Sequence, residues 1–227
     1  MKKNNNVSLT IQEKRKAIRK ESRNRRRSLT IKEQAFAALT LQKIIQRQPF
    51  FLRSHTFAYY LSNDNEIDPS LLASQSNQRD KKFFLPVLQP LNLGKLWFLF
   101  HDVKNTGKHS SMKLNRYGIL EPRLAGKPIP NYALDVVFMP LVAFDKTGAR
   151  LGMGGGFYDR SFSFKKNKRA NKPLLIGLAH HCQEWNALPV ESWDIPLDAI
   201  ITDRGIFSTG KNTENWAQRD FLKNDMI

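Results

Sequence analysis

The stretch LDVVFMPLVAFDKTGARLGMGGGFYDR, residues 134–160, decides the fold. It opens with a nearly continuous apolar run, 134–139, of the kind found in a strand buried within a parallel sheet. A glycine-rich segment, 150–160, follows and leads into a helix predicted around 157–164. Ligands of open α/β sheets bind outside the carboxyl ends of the strands. This order of strand, glycine-rich loop and helix therefore predicts an α/β fold with a binding site at the loop.

Strands and helices alternate along the rest of the chain. Thr30 and Glu33 form a capping-box pattern, and Asp68 followed by Pro69 fits the start of another helix. The alternation predicts a three-layer α/β/α, Rossmann-like domain with a mainly parallel sheet and basic N-terminal helices. The predicted helices cover 9–28, 31–47 and 68–78, the predicted strands cover 55–61, 82–87, 96–100, 174–179 and 198–202, and 101–133 is mostly loop.

Basic charge is concentrated near the N-terminus. The net charge is +17, and residues 1–27 carry eleven lysines and arginines against two glutamates. A second basic patch is KKNKR, 165–169. We expect residues 1–8 to form a disordered basic tail and residues 9–227 to form a single domain. Two local patches favour two anion contacts over an extended nucleic-acid surface. Nucleic-acid binding by the basic helix, with a steep salt dependence, stays as an alternative.

The composition argues against several classes of protein. Hydrophobic residues make up 41% of the chain, but no uninterrupted apolar stretch of about 18 residues is present, so we expect no membrane span. No apolar segment follows the basic N-terminus, so we expect no secretory signal. Cys182 is the only cysteine, which suits a cytoplasmic protein without disulfides. Adjacent His180, His181 and Cys182 do not easily share one tetrahedral ion, so we assign no metal site there.

The glycine-rich segment predicts a phosphate site. Successive glycines let backbone N–H groups turn toward one anion, and the following helix N-terminus adds its dipole. The segment is not a Walker A loop, because the pattern GxxxxGK[ST] is absent. It is not GxGxxG either, because Phe157 occupies the position of the last glycine. Arg150 is a candidate phosphate contact, whereas Arg160 is open between phosphate contact and helix surface. A glycine-rich turn without a ligand stays as an alternative, and Asp159 is either a Mg²⁺ ligand or a carboxylate favoured by the helix dipole.

Four segments resemble one known family. PLVAFDKTGARLGMGGGFYDR, 140–160, is similar to the signature of the 5-formyltetrahydrofolate cyclo-ligases, also called methenyltetrahydrofolate synthetases. Three further elements match in the family's order, and the resemblance covers about residues 14 to 205. These elements are YLSNDNEID (60–68), NRYGILEP (115–122) and LPVESWDIPLDAIIT (188–202).

The resemblance implies a ligase reaction of one-carbon salvage. The family converts 5-formyltetrahydrofolate to 5,10-methenyltetrahydrofolate with ATP and Mg²⁺, releasing ADP and phosphate. In its scheme the formyl oxygen attacks the γ-phosphate, N10 adds to the activated carbon, and phosphate leaves. The resemblance also implies the fold of NagB, RpiA and CoA transferases. We expect a cytoplasmic monomer whose folate substrate is also accepted in polyglutamylated form, with no membrane partner and no specific nucleic-acid partner.

The resemblance assigns roles to individual residues. Arg150 and Tyr158 are implied as catalytic, and Asp159 and Asp194 as Mg²⁺ ligands, although Asp194 alone resembles a turn residue. The implied ATP-binding residues are Arg15, Lys16, Arg19, Arg150, Leu151, Gly152, Met153, Gly154, Gly155, Gly156, Phe157 and Tyr158. The implied folate-binding residues are Leu61, Glu66, Tyr117, Met153, Gly154, Gly155, Gly156 and Phe157.

The chain departs from the family pattern at one N-terminal position. Arg15 stands where the family's KxxLR pattern has lysine, and Lys14 and Lys16 flank it, so the cation that contacts phosphate is open. The basic loop 165–169 is a candidate site for the folate glutamate tail. A relative that binds a nucleotide or sugar phosphate without ligase activity is a further alternative.

Overall fold

A seven-stranded sheet forms the centre of the computed structural model, which describes residues 9–74, 80–91, 94–102, 112–124, 126–167 and 170–209. Five neighbouring strands, β11, β9, β6, β1 and β2, run parallel, and antiparallel β12 and β3 form the edges. The strands of this sheet are β1 (Thr56–Ala58), β2 (Lys82–Leu88), β3 (Leu96–Phe100), β6 (Val136–Pro140), β9 (Leu174–Ala179), β11 (Ala199–Thr202) and β12 (Gly205–Ser208).

Helices precede the sheet and flank it. A threonine caps each of the first two helices, and each capping box closes on a glutamate three residues later. The helices are α1 (Ile11–Arg27), α2 (Ile31–Gln46), α3 (Pro49–Arg53), α4 (Ser70–Ser74) and α5 (Phe157–Ser161). None of the described helices is long and apolar enough to cross a membrane.

The core lies on both faces of the sheet because alternate side chains of a strand point in opposite directions. On one face, Phe57 and Phe138 pack in a cluster with residues of α2, α3 and α4. On the other face, Val137 and Met139 pack with Phe162, which directly follows α5. The predicted α/β fold with a mainly parallel sheet is confirmed.

Several short elements escaped sequence analysis. The segment predicted as loop, 101–133, contains the hairpin β4 (Met112–Leu114) and β5 (Leu120–Pro122). A small sheet joins β7 (Ala143–Asp145), β8 (Arg150–Leu151) and β10 (Glu184–Trp185). Strands of two or three residues are too short to carry a periodic pattern.

Some predicted boundaries also need correction. The strand predicted over 55–61 is shorter, because β1 spans only Thr56–Ala58 and its pairing with β2 and β6 ends at Ala58. The helix predicted around 157–164 ends at Ser161, and a 3₁₀ turn, Ser163–Lys166, continues it. The tail 1–8 and the end of the helix predicted over 68–78 lie outside the described residues.

Candidate functional site

An open cavity lies at the carboxyl ends of the central strands. It encloses about 360 Å³, and Pro140 at the end of β6 and Leu61 after β1 line its floor. Its walls come from several segments that are distant in sequence. These include α1, the loop after β1, the β4–β5 hairpin, the glycine loop 152–156 and residues 193–194, together with residues of β2, β3, β8 and α5. The site predicted at the carboxyl edge of the sheet therefore coincides with a cavity.

The glycine loop 152–156 connects β8 to α5 and lines the cavity. Gly154 and Gly156 have φ angles of 104° and 65°, a region that residues with a Cβ adopt rarely. Arg19 of α1 donates from Nε to the carbonyl of Gly152 at 2.8 Å. The basic helix therefore holds one end of the loop.

Two arginine–aspartate pairs stand beside the glycine loop. Arg150 Nη2 lies 2.7 Å from Asp159 Oδ1, which also accepts from the backbone N–H of Ile195 at 3.2 Å. Arg15 Nη1 and Nη2 donate to the two oxygens of Asp194 at 2.6 and 3.0 Å. Each predicted Mg²⁺ ligand is thus paired with a predicted phosphate-binding arginine.

Asp194 stays ionised in this arrangement. Burial raises the pKa of its carboxyl, but hydrogen bonds from Arg15 and from the Glu191 N–H outweigh burial and lower the pKa below its ordinary value. The charge of Asp194 is therefore available to a cation as well as to Arg15.

The donor chemistry of Asp159 and Asp194 fits Mg²⁺. Both carboxylates line the same cavity, and both hydrogen bonds described for Asp159 end on Oδ1. Mg²⁺ takes hard oxygen ligands and is commonly bound by one or two carboxylates together with substrate phosphates and water. Asp159 and Asp194 therefore suit a Mg²⁺ that arrives with a polyphosphate. No cluster of three or more His, Cys, Asp or Glu side chains that could hold a metal occurs among the described residues.

Glu66 also lines the cavity and lies at the end of a constrained turn. The preceding Asp64 and Asn65 have positive φ angles of 51° and 59°. Buried Arg26 donates to the Asp64 carbonyl at 2.6 Å and to Asp64 Oδ2 at 2.7 Å, which stabilises the turn. Glu66 Oε1 accepts no hydrogen bond from the described residues and lies 3.8 Å from Arg26 Nη1.

Burial dominates the protonation of Glu66. It raises the pKa of the carboxyl to about 7, although Arg26 and the Asn63 N–H act in the opposite direction. Burial also raises the pKa of Tyr158 above its ordinary value, and the nearby Glu66 adds to the shift. At neutral pH Tyr158 is therefore a hydrogen-bond donor and not a base.

Aromatic rings complete the wall next to the glycine loop. Tyr117, in the turn between β4 and β5, meets Phe157 edge to face with ring centroids 5.7 Å apart. Tyr117 is 54% exposed, so its ring has free surface that a planar ligand could cover.

Comparison with known proteins identifies the family. One family model matches residues 11–203, and its description is 5-formyltetrahydrofolate cyclo-ligase family. The chain belongs to the 5-formyltetrahydrofolate cyclo-ligase family. The resemblance in four sequence segments is thereby confirmed, and the chain is an enzyme of this family.

Curated relatives carry the same family name over most of their length. The 5-formyltetrahydrofolate cyclo-ligase of Escherichia coli K12 is 42% identical over 181 residues, which cover 79% of this chain and 95% of the relative. That of Haemophilus influenzae is 40% identical over 195 residues, covering 83% of this chain and 97% of the relative.

Solved structures share the fold. The NMR structure of Aquifex aeolicus 5,10-methenyltetrahydrofolate synthetase has a TM-score of 0.72 at 24% identity and covers 92% of this chain and 98% of its own. The Mycoplasma pneumoniae synthetase has a TM-score of 0.62 at 21% identity, covering 83% and 98%. At these identities the likeness supports the fold alone.

Most of the residues that the cyclo-ligase resemblance implied lie in one cavity. Lys16 and Leu151 do not line it: Lys16 is exposed on α1, and Leu151 is buried below the loop against Ala143 and Leu188. The implied residues that line the cavity are Arg15, Arg19, Leu61, Glu66, Tyr117, Arg150, Gly152, Met153, Gly154, Gly155, Gly156, Phe157, Tyr158, Asp159 and Asp194.

The basic loop proposed for the glutamate tail is only partly described. Lys165 donates to the Ala170 carbonyl and lies 3.7 Å from Asp198, and Lys166 donates to the Ser192 carbonyl. Residues 168 and 169 lie outside the described residues. Both described lysines of this loop therefore already have partners within the protein.

Sequence reasoning gave no role to several cavity residues. Asn115 and Glu121 lie in the family-like element 115–122 and Trp193 lies in the element 188–202, so these motifs contained the three residues without assigning them a role. Gln12 in α1 carried no signal, because its approach to the cavity depends on how the helix packs.

Proposed function

We propose that this chain converts 5-formyltetrahydrofolate to 5,10-methenyltetrahydrofolate, using ATP with Mg²⁺ and releasing ADP and phosphate. One observation carries the proposal: the residues implied for ATP and those implied for folate line one cavity and share the glycine loop. A reaction between two substrates needs them in contact, and placing them so converts a bimolecular encounter into an effectively unimolecular step.

The nucleotide side uses cations and backbone donors. Arg15, Arg19 and Arg150 line the cavity beside the glycine loop, whose backbone can approach a polyphosphate closely. Phosphoryl transfer depends mainly on positioning and on neutralising charge in the transition state. Arg150 supplies that charge, and the protonated Tyr158 donates a hydrogen bond to an oxygen of the transferred group.

Asp159 and Asp194 would hold the Mg²⁺ that accompanies ATP. The bound ion would neutralise phosphate charge during transfer. Both carboxylates are already paired with arginines, so these four charges compensate one another before ligands arrive. When ATP binds with Mg²⁺, the arginines would pair with phosphate and the carboxylates with the cation, so the four charges would again have partners of opposite sign.

The folate side uses one carboxylate and apolar walls. Glu66, once ionised, accepts hydrogen bonds from a ring N–H and amino group, the donor pair that a pterin presents. Leu61 lines this part of the cavity, and Tyr117 and Phe157 offer aromatic faces to a planar substrate.

The chemistry then proceeds in two steps. The formyl oxygen attacks the γ-phosphorus as the bond to the ADP oxygen breaks, which leaves a phosphorylated iminium. N10 adds to the activated carbon and loses its proton, and phosphate departs with the former formyl oxygen. The chain contributes orientation of both substrates and electrostatic stabilisation of the transferred group.

Basic residues of α1 support this enzyme over a nucleic-acid-binding protein. Five of its arginines donate hydrogen bonds to other groups of the protein. The pairs are Arg15 with Asp194, Arg19 with Gly152, Arg25 with Glu21, Arg26 with Asp64 and Arg27 with Asp64.

The direct test is formation of the methenyl product, followed by its near-ultraviolet absorbance. We expect product only when ATP and Mg²⁺ are both present. Absence of product from folded protein would contradict the ligase proposal, and ATP binding without turnover would instead favour a nucleotide-binding relative.

A further inference from the structure

Arg160 contacts the glycine loop from outside the cavity. It follows Asp159 on the exposed side of α5 and does not line the cavity. Its Nε donates to the carbonyl of Gly94 at 2.8 Å, and its Nη2 donates to the carbonyl of Gly155. The same guanidinium lies over the ring of Phe157, 5.4 Å from the centroid.

Two glycines make room for this guanidinium. A Cβ on Gly94 would lie 2.5 Å from Arg160 Nε, and a Cβ on Gly156 would lie 2.6 Å from Arg160 Nη1. Both glycines also have left-handed backbones, with φ angles of 62° and 65°. Their lack of a side chain therefore serves Arg160 as well as any ligand.

The bond to Gly155 also orients the next peptide N–H. In a planar trans peptide the carbonyl and the following N–H point in opposite directions. Since the Gly155 carbonyl accepts from Arg160, the N–H of Gly156 points away from Arg160. Gly155 and Gly156 both line the cavity, whereas Arg160 does not.

We propose that Arg160 is a positioning residue that ties the glycine loop to the Gly94 turn and thereby sets the Gly156 N–H and the Phe157 ring for both substrates. The role assigned to the two substrates rests on the proposed function. Arg160 would influence ATP binding by orienting the Gly156 N–H. It would influence folate binding by holding the ring of Phe157, which contacts Tyr117. This differs from the two roles that the sequence left open for Arg160, a phosphate contact and a plain helix surface.

The test compares Arg160→Ala and Arg160→Lys with Arg53→Ala, which removes an exposed arginine that does not line the cavity. We expect both Arg160 variants to raise KM about tenfold for ATP and for 5-formyltetrahydrofolate, as loss of hydrogen bonds from a charged group would. Lysine should not rescue, because one ammonium cannot reproduce a planar fork that binds two carbonyls and stacks on a ring.

Hydrogen exchange of the unliganded protein supplies a readout independent of activity. We expect faster exchange of the amides of 152–158 in both Arg160 variants, with thermal midpoints matching the Arg53→Ala control. Unchanged exchange would overturn the proposal, and so would a rise in KM confined to ATP that lysine restores, which would indicate a phosphate contact. If the wild type were inactive, the proposed function would fail while the exchange result still tested the loop.

A second variant approaches the same contact from the other side. Gly94→Ala places a Cβ where Arg160 Nε lies, so it should also speed exchange of 152–158. In the Arg160→Ala background the same change should add little, and backbone strain at residue 94 cancels in this comparison. Equal effects of Gly94→Ala in both backgrounds would overturn the proposal.

Discussion

Arg15 of α1 and Asp194, 179 residues later, form a two-point ion pair with nitrogen–oxygen distances of 2.6 and 3.0 Å. Their side chains are 7% and 16% exposed, so water screens the pair little. The pair joins the basic helix to the segment before β11 and places a predicted phosphate contact against a predicted metal ligand. The pair thus connects α1 to a segment 179 residues later at the cavity.

The free energies lost on replacing Arg15 and Asp194 singly should sum to more than the free energy lost when both are replaced together. Arg15→Ala leaves Asp194 part-buried without its cation, and Asp194→Ala leaves Arg15 in the converse state. We expect a coupling free energy of about 1–3 kcal/mol in a double-mutant cycle measured by urea unfolding. Additive effects of the two substitutions on the free energy of unfolding would show that the two side chains do not stabilise each other.

Asp159→Asn should remove most activity without unfolding the protein. The amide keeps an oxygen for the Ile195 N–H but loses the charge that pairs with Arg150 and that the proposed Mg²⁺ site needs. We expect kcat/KM for methenyl formation to fall about 100-fold in protein that is still folded at the assay temperature. The thermal midpoint should also fall, because Arg150, whose side chain is 4% exposed, loses its anionic partner. Asp203→Asn, outside the cavity lining, is the matched control. A near-normal rate would remove Asp159 from the metal site.

Glu66 should make stability depend on pH. Its pKa is raised from 4.5 to about 7 in the folded state, mainly by burial, so the folded chain binds more protons than the unfolded chain between these values. The contribution of Glu66 to the free energy of unfolding should therefore fall as pH rises from about 4.5 through 7, by about 3 kcal/mol. The measurement is urea unfolding of wild type and Glu66→Gln at several pH values.

The difference between these two proteins isolates the Glu66 titration. It should be largest at low pH in favour of the wild type and become constant above about pH 8. A difference that does not change with pH would show that Glu66 has an ordinary pKa in the folded chain.

Arg19 and Lys16 should differ as ATP contacts although they share a helix. Arg19 lines the cavity and donates a hydrogen bond to the Gly152 carbonyl, whereas Lys16 is exposed and does not line the cavity. We expect Arg19→Ala to raise KM for ATP about tenfold and Lys16→Ala to change it less than about twofold. The reverse order would place the phosphates on the outer side of α1.

Sequence patterns predicted the centre of the fold well. The apolar run around Val136–Pro140, the strand Leu174–Ala179 and the capping box at Thr30 are local signals, and the local backbone follows them. The hairpin around Tyr117 was missed, because each of its strands has three residues and gains its structure from packing beside β2. The short β7, β8 and β10 were missed because they are only two or three residues long.

By itself, the sequence determined the residue types of the candidate site and the loop that carries them. Motif spacing fixes Arg150, the glycines and Asp159 within one short segment, and local geometry then brings them together. Only the tertiary structure decided that Asp194 pairs with Arg15 and that Arg19 and not Lys16 lines the cavity. It also decided that Arg160, which does not line the cavity, donates a hydrogen bond to the Gly155 carbonyl of the glycine loop. Such contacts depend on which face of a helix packs against a distant segment, and no local pattern records that choice.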